Sequence, residues 1–186
     1  MIVIIGPPAV GKYTIGKMLN EKCKYRFLHE HQLLDTATAL FDDVCGERIT
    51  YYFKLRLEVF SDFIKYNTTN QSIITTFVHL FNNDFYNNFI TSFLDMFQKK
   101  NYDVYVIELE ASYEERIKRN TNEDRLKAKP SKQDIEYSTK NINALEEHTR
   151  TNSNETDTLF ANYHHTKIST ELLSQDEIVE KIVSSL

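Results

Sequence analysis

Short unbroken apolar runs alternate along the chain with longer stretches whose apolar residues return every three or four positions. Ile2-Val3-Ile4-Ile5, Ser72-Ile73-Ile74-Thr75-Thr76-Phe77-Val78 and the segment from Asp103 to Leu109 are rich in β-branched residues, the pattern of strands buried on both faces of a parallel sheet. Tyr25-Arg26-Phe27-Leu28-His29 offers a shorter second strand, and His164 to Ile168 a weak last one. Between the runs the period turns helical. A first helix is predicted from Gly11 to Lys22, with Ile15, Met18 and Leu19 on one side. From Leu33 to Asn67, Phe53, Leu57, Phe60 and Ile64 form one stripe with Tyr52, Arg56, Val59 and Phe63 beside it, which makes a helical insertion between strands two and three. Asp84 stands where it would cap a helix in which Phe85, Phe89, Phe93 and Phe97 recur at every fourth position. Ser112 with Glu115, and Ser174 with Glu177, read as capping boxes. The first opens a helix through Arg119, and the second a closing helix that packs Ile178, Val179, Ile182 and Val183. A further helix covers Gln133 to Glu147. Two polar stretches remain: Asn120 to Lys132, basic and read as a mobile loop, and Thr149 to Asp157, expected to be loop and partly disordered. Strands alternating with helices imply one α/β domain over residues 1–186, its parallel sheet wrapped on both faces.

Composition narrows the class. With 186 residues, 41% hydrophobic and 12% aromatic, the chain is long enough to bury one core and not long enough to make a second independent domain expected. The formal charge of −5 argues against a dedicated nucleic-acid binder, which would carry a basic excess. Cys23 and Cys45 are too few for a zinc site or disulfide framework, so a reduced compartment is expected. A first strand beginning at Ile2 leaves no room for a signal peptide, and no apolar run is long enough to span a bilayer. The expected location is the cytoplasm.

The sharpest chemical signal follows the first strand directly. Gly6-Pro7-Pro8-Ala9-Val10-Gly11-Lys12-Tyr13-Thr14 spells G-x-x-x-x-G-K between a strand and a helix, and two of only four glycines in the chain occupy the motif's glycine positions. In such a loop successive backbone N–H groups point into one hollow, the helix adds the positive end of its dipole, and the lysine reaches the β and γ phosphates. The expected ligand is a nucleotide triphosphate. Other nucleotide-hydrolase signatures are weak. No acidic residue ends the strand at Val78-His79, so the magnesium anchor of motor-type hydrolysis is missing. Asp43-Val44-Cys45-Gly46 spells D-x-x-G but follows a helical stretch, and Thr166-Lys167-Ile168-Ser169 lacks the aspartate that would read guanine.

The loop with Tyr13-Thr14, followed by Tyr25-Arg26-Phe27-Leu28-His29-Glu30-His31, resembles the P-loop kinase group that includes shikimate, gluconate and adenylate kinases, and most closely bacterial shikimate-kinase-like ATPases. The resemblance implies a P-loop kinase-type three-layer sandwich, with a five-stranded parallel sheet in the order 2-3-1-4-5 and ATP with Mg²⁺ at its carboxyl edge. It also implies a lid over 120–132, with Arg125 where such lids place arginine, preceded by Glu114-Glu115-Arg116-Ile117-Lys118-Arg119. One residue departs from the commonest pattern. Tyr13 stands where Ser or Thr usually ligates magnesium, as glycine does in adenylate kinases, so Thr14 is expected to serve a phosphate and to hold Mg²⁺ through water.

By the same resemblance the acceptor binds between the end of strand two and the helical insertion. His29, Glu30, His31 and Asp35 are the candidates to meet its hydroxyl, with His29 and His31 on one strand face and Glu30 on the other. An equally open alternative makes the histidines strand-end partners of backbone groups and Asp35 a helix cap through Thr38. Arg56 either faces the cleft, where it could bind an acceptor carboxylate or phosphate, or is paired along its helix with Glu58 and Asp62. Arg116 and Arg125 are expected on the nucleotide phosphates, and Arg119 either stacks on adenine or contacts the lid. The loop from Ser169 to Ser174 is expected near the adenine. The reading is an ATP-dependent phosphotransferase with a small-molecule acceptor, in which Lys12, Asp35 and Arg125 act on the reaction. Its rivals are a nucleotide-binding regulator with degenerate chemistry and a nucleotide or nucleic-acid 5′-end kinase.

Overall fold

A computed structural model of the chain describes residues 1–42, 46–121 and 134–186. Five parallel strands, β1 (Ile2–Ile5), β2 (Arg26–Leu28), β3 (Ile73–Phe77), β4 (Tyr105–Glu110) and β5 (His164–Ser169), form one sheet in the order β2-β3-β1-β4-β5. Around it lie α1 (Lys12–Cys23), α2 (Glu30–Leu40), α3 (Glu47–Tyr66), α4 (Asp84–Gln98), α5 (Tyr113–Asn120), α6 (Ile135–His148) and α7 (Gln175–Val183).

Period-two side-chain alternation divides the core between the two sheet faces. Val3 and Ile5 of β1 join Phe77, Val106 and the α3 and α4 phenylalanines on one face. Ile2 and Ile4 join Ile107, Leu109, Ile15, Leu19 and the α7 residues Ile178, Val179 and Ile182 on the other. Both faces are covered, which is why β1 reads as an unbroken apolar run. In register, Ile5 faces Phe77 on one side and Glu108 on the other, so the carboxyl ends of the three central strands form one edge.

Several local expectations change. Strand two stops at Leu28 and α2 starts at Glu30, because the His29 N–H donates to Gln32 Oε1 at 3.0 Å and gives the helix its entry. The alternating strand faces assigned to His29, Glu30 and His31 therefore do not exist. The single insertion over 33–67 is two helices, and Gly46 enters the second with φ +79°, a left-handed conformation that glycine adopts without strain. Asn83, and not Asp84, caps α4 by accepting from the Tyr86 N–H at 3.2 Å. Of the two capping boxes, the one at Ser174 and Glu177 forms fully. At Ser112 the box is half made, since the Ser112 N–H donates to Glu171 while Glu115 pairs with Arg119. The segment from Thr149 to Asp157 is not disordered: Glu108, Asn82 and Asp157 hold it in place. The lid expected over 120–132, with Arg125, lies outside the described residues apart from Asn120 and Thr121, and so does all but Gly46 of the D-x-x-G sequence.

Candidate active site

The phosphate loop leaves β1 at the carboxyl edge and turns three times through left-handed backbone, with φ of +137° at Gly6, +66° at Ala9 and +105° at Gly11. Gly6 is required twice over. A Cβ there would sit 2.3 Å from the Leu109 carbonyl oxygen of β4, a backbone atom that cannot yield. Gly11 has open space around it and serves only its conformation. The turns deliver the chain to the first turn of α1, where Lys12 is 9% exposed. Its Nζ donates to the Gly6 and Pro7 carbonyl oxygens at 2.6 and 2.8 Å, so the ammonium lies within the loop it closes. Thr14, in the first turn of the helix, is exposed.

Tyr13 turns another way. Its ring packs edge-on against His29, with centroids 5.0 Å apart at 88°, and lies 5.9 Å from Phe27. Gly16 allows this closeness, since a Cβ there would lie 2.6 Å from the Phe27 ring. The contact brings His29, and His31 beside it, to the phosphate loop. His29 lies at the start of α2, and His31 follows with its ring 6.4 Å away. His31 and Asp35 are four residues apart in one helix and so share a face, with Asp35 exposed and capping nothing.

Glu30 is buried and tied to the sheet. Its N–H donates to Thr76 Oγ1 at 2.9 Å, and its Oε1 accepts from the Val78 N–H at 3.2 Å, which fastens α2 to the end of β3. Arg56 does not lie on a cleft-facing flank and does not pair with Glu58 or Asp62. It is fully buried, with its guanidinium 5.0–5.3 Å from the ring centres of Phe60, Phe77 and Phe93. It donates to Tyr52 Oη at 3.1 Å, Thr75 Oγ1 at 2.9 Å and the Thr76 carbonyl at 3.2 Å. Thr75 and Thr76 thus join Arg56 beneath the edge to Glu30 on it.

The arginines of α5 separate in role. Arg116 is 3% exposed and paired with Glu146 of α6, which locks the two helices together. Arg119 reaches the site: Nη1 donates to Thr170 Oγ1 at 2.8 Å, Nη2 to the Thr170 carbonyl at 3.0 Å, and Nη1 stands 3.5 Å from the Val10 carbonyl of the phosphate loop. Glu115 steadies it at 2.8 Å. This one side chain joins α5, the loop after β5 and the phosphate loop.

Sequence reasoning missed a second polar centre. Glu108 on β4 is fully buried, and its carboxylate takes Ser153 N at 2.7 Å, Ser153 Oγ at 2.7 Å and Asn152 Nδ2 at 2.9 Å, with His165 Nε2 also at 2.9 Å. Burial alone would push this carboxyl up, but the hydrogen bonds outweigh it and hold the pKa at about 2. An acidic residue inside an apolar strand was the available signal. The same segment carries Arg150, which pairs with Asp157 and lies 5.2 Å over the Phe81 ring. Two shallow cavities of about 220 and 320 Å³ border this side of the sheet, and no phosphate-loop residue lines either. Among the described residues no group of three His, Cys, Asp or Glu side chains is placed to hold a metal ion, and no helix is long and apolar enough to cross a membrane.

No family model matches the chain, and no curated protein matches it. Solved structures do. A shikimate kinase from Acinetobacter baumannii in complex with shikimate superposes with a TM-score of 0.57 at 16% identity, covering 98% of this chain and 90% of that one. A gluconokinase from Sinorhizobium meliloti gives 0.56 at 12% identity, over 99% and 89%. A sugar kinase from Janibacter gives 0.56 at 14%, over 98% and 91%. The fold is that of the P-loop small-molecule kinases. The five-stranded parallel sheet in the order β2-β3-β1-β4-β5 matches that fold. At these identities the likeness carries the fold alone.

Proposed function

We propose that the protein is an ATP-dependent phosphotransferase acting on a hydroxyl or phosphate of a small molecule. The observation that carries this reading is the phosphate loop itself, with its three left-handed turns closing around Lys12 at the carboxyl edge of the sheet and the amino end of α1. The loop from Gly6 to Thr14 fits a polyphosphate: its backbone and the helix dipole favour an anion, and Lys12 exchanges two carbonyl partners for phosphate oxygens. Arg119, between Val10 and Thr170, borders the nucleoside side, and Arg116 fixes the helix that presents it. Arg125, outside the described residues, is assigned on this reading to the transferred phosphate. The chemistry that Mg²⁺ supplies when bound is neutralisation of charge on the β and γ phosphates, and Thr14 is the residue that would hold it, through water.

On the acceptor side, His29, His31 and Asp35 lie along the start of α2, next to Tyr13 and hence to the loop. His31 or Asp35 accepts the hydroxyl proton and orients the oxygen. Glu30 and Arg56 set the position of that helix start relative to β3 and supply buried charge beneath the acceptor. Catalysis on this reading is positioning and charge neutralisation, the two effects phosphoryl transfer needs most.

Ligand-induced stabilisation tests the reading. ATP binding only the native state gives about 2.7 kcal/mol at a hundredfold excess over Kd, which raises the melting temperature by roughly 5–10 °C for a domain of this size. Lys12→Ala removes most of that shift, each protein's shift being taken from its own melting temperature without ATP. Transfer is then sought by ³¹P spectroscopy with pools of polyols, hydroxy acids and nucleosides. An ATP shift that is unchanged in Lys12→Ala sinks the assignment of the loop. Tight ATP binding with no transfer to any pool favours the regulatory reading.

A further inference from the structure

The row of rings that begins at the phosphate loop does not end at His29. Tyr13 meets His29 at 5.0 Å and Phe27 at 5.9 Å, Phe27 meets His29 at 5.8 Å, and His29 meets His31 at 6.4 Å. Three separate elements contribute: the first turn of α1, strand β2 and the entry to α2. The contact is built and not incidental. Gly16, one turn after Tyr13, leaves out the side chain that would strike Phe27 at 2.6 Å, so α1 can close on β2 and bring the Tyr13 ring within reach. A serine or threonine at position 13 would be too short to touch the row.

We propose that Tyr13 is a positioning residue that couples occupancy of the phosphate loop to the placement of His29 and His31. This rests on the reading of the loop as a nucleotide site. Lys12 precedes Tyr13 in the same helical turn and donates to the Gly6 and Pro7 carbonyl oxygens. When a polyphosphate takes the ammonium, that turn changes its bonding, and the adjacent ring is packed edge-on against the first acceptor-side residue. Coupling of this kind needs a continuous chain of packed groups and an element with two bonding arrangements. Lys12 supplies the second, and the ring row supplies the first. Position 13 thus links the loop to His29 and His31 by packing, so that a nucleotide at the loop alters the placement of both histidines.

The test uses the full chain with AMP-PNP and Mg²⁺ as the probe, and reads histidine ring ¹H–¹³C signals assigned by single His→Gln variants. Saturation by the analogue is expected to move the His29 and His31 signals in the native protein and to move them equally in Tyr13→Phe, which keeps the ring. Tyr13→Ala is expected to cut these displacements about threefold or more while AMP-PNP affinity changes less than about threefold, since packed neighbours couple and the phosphate contacts remain. Tyr13→Leu, which keeps the volume, replaces the alanine variant if that protein does not fold. His29 and His31 displacements in Tyr13→Ala or Tyr13→Leu equal to the native ones would overturn the coupling. So would a Tyr13→Phe protein as deficient as Tyr13→Ala, which would assign the effect to the hydroxyl. A native protein that binds no AMP-PNP overturns the nucleotide reading, and the coupling with it; one that binds but shows no histidine displacement overturns the coupling alone.

Discussion

His165 Nε2 on β5 lies 2.9 Å from the Glu108 carboxylate on the neighbouring strand β4, in a pair whose acid is fully buried and whose base is partly exposed. Glu108 holds Ser153 and Asn152 through the same two oxygens, so one carboxylate fixes both the strand pair and the segment from Thr149 to Asp157. Its pKa of about 2 lies below the ordinary 4.5, so between those values the unfolded chain binds more protons than the native one. The stabilisation is therefore complete above about pH 4.5 and is lost as the pH falls toward 2. Glu108→Gln should lower stability at pH 7 by about 1.5–3 kcal/mol, the range for a hydrogen bond to a charged group, and flatten the acid limb. Urea midpoints measured from pH 2 to 7 check this. A variant whose acid limb matches the native one would place the titration elsewhere.

Glycine substitutions should rank by what a Cβ meets. At Gly6 it meets a carbonyl oxygen of β4 at 2.3 Å on a backbone with φ +137°, so Gly6→Ala should be the most damaging, by about 3 kcal/mol or more. At Gly16 the obstacle is the Phe27 ring, which can shift, so Gly16→Ala should lose about 1–3 kcal/mol and recover part of it when combined with Phe27→Leu. Thermal and urea unfolding of the three proteins decide the order. Equal losses at positions 6 and 16 would mean the loop backbone yields as readily as a side chain.

Fold and site were legible to different depths, for physical reasons. β1, β3 and β4 are buried on both faces, so their apolar runs state both their existence and their parallel setting, and the phosphate loop's glycines are fixed by local backbone geometry. What failed were boundaries and long-range polar contacts. The helix entry at His29-Glu30-His31 has one local signal, the capping partner Gln32, and is otherwise set from far along the chain by Thr76 of β3 and by Val78 just past it. Arg56 read as either cleft-facing or paired along its helix, and not as buried, because its partners, Thr75 and the ring of Phe93, are 19 and 37 residues away in sequence. The polar segment at 149–157 read as loose because the carboxylate that holds it belongs to β4.

Arg119 should prove more important to nucleotide binding than Arg116. Its guanidinium joins Thr170 to the phosphate loop through Val10, whereas Arg116 is spent on Glu146. Arg119→Ala should weaken AMP-PNP binding by about tenfold, near 1.4 kcal/mol, with a modest loss of stability. Arg116→Ala, which leaves Glu146 without its buried partner, should lower stability more than affinity. Calorimetric titration beside thermal unfolding separates the two effects. The reverse ranking would move the nucleoside side of the site away from Thr170.

His79, two residues past β3, is fully buried among Phe77, Phe81 and Phe160, and neither ring nitrogen has a hydrogen-bond partner among the described residues. Asn87 Oδ1 on α4 also lacks a well-formed one, although the Asn87 side chain is near enough to the ring to favour its protonated form. Burial lowers the His79 pKa to about 4, against the raising influence of Asn87, Glu108 and Asp157. The native ring therefore stays neutral where the unfolded one, near 6.5, takes a proton, so its contribution is complete above pH 6.5 and stability falls as the pH drops toward 4. This window overlaps that of Glu108 only between about pH 4 and 4.5, so most of each is separable in one titration. His79→Phe removes two buried polar atoms and the proton uptake together while keeping a ring in the aromatic setting. It should be neutral to stabilising at pH 7 and more stable than the native protein by about 1–3 kcal/mol near pH 4.5. Urea midpoints at pH 7.5, 6 and 4.5 measure it. A His79→Phe protein that keeps the native slope between pH 6.5 and 4.5 would show that this histidine does not titrate with folding, and one destabilised at pH 7.5 would show that its nitrogens are hydrogen-bonded in solution.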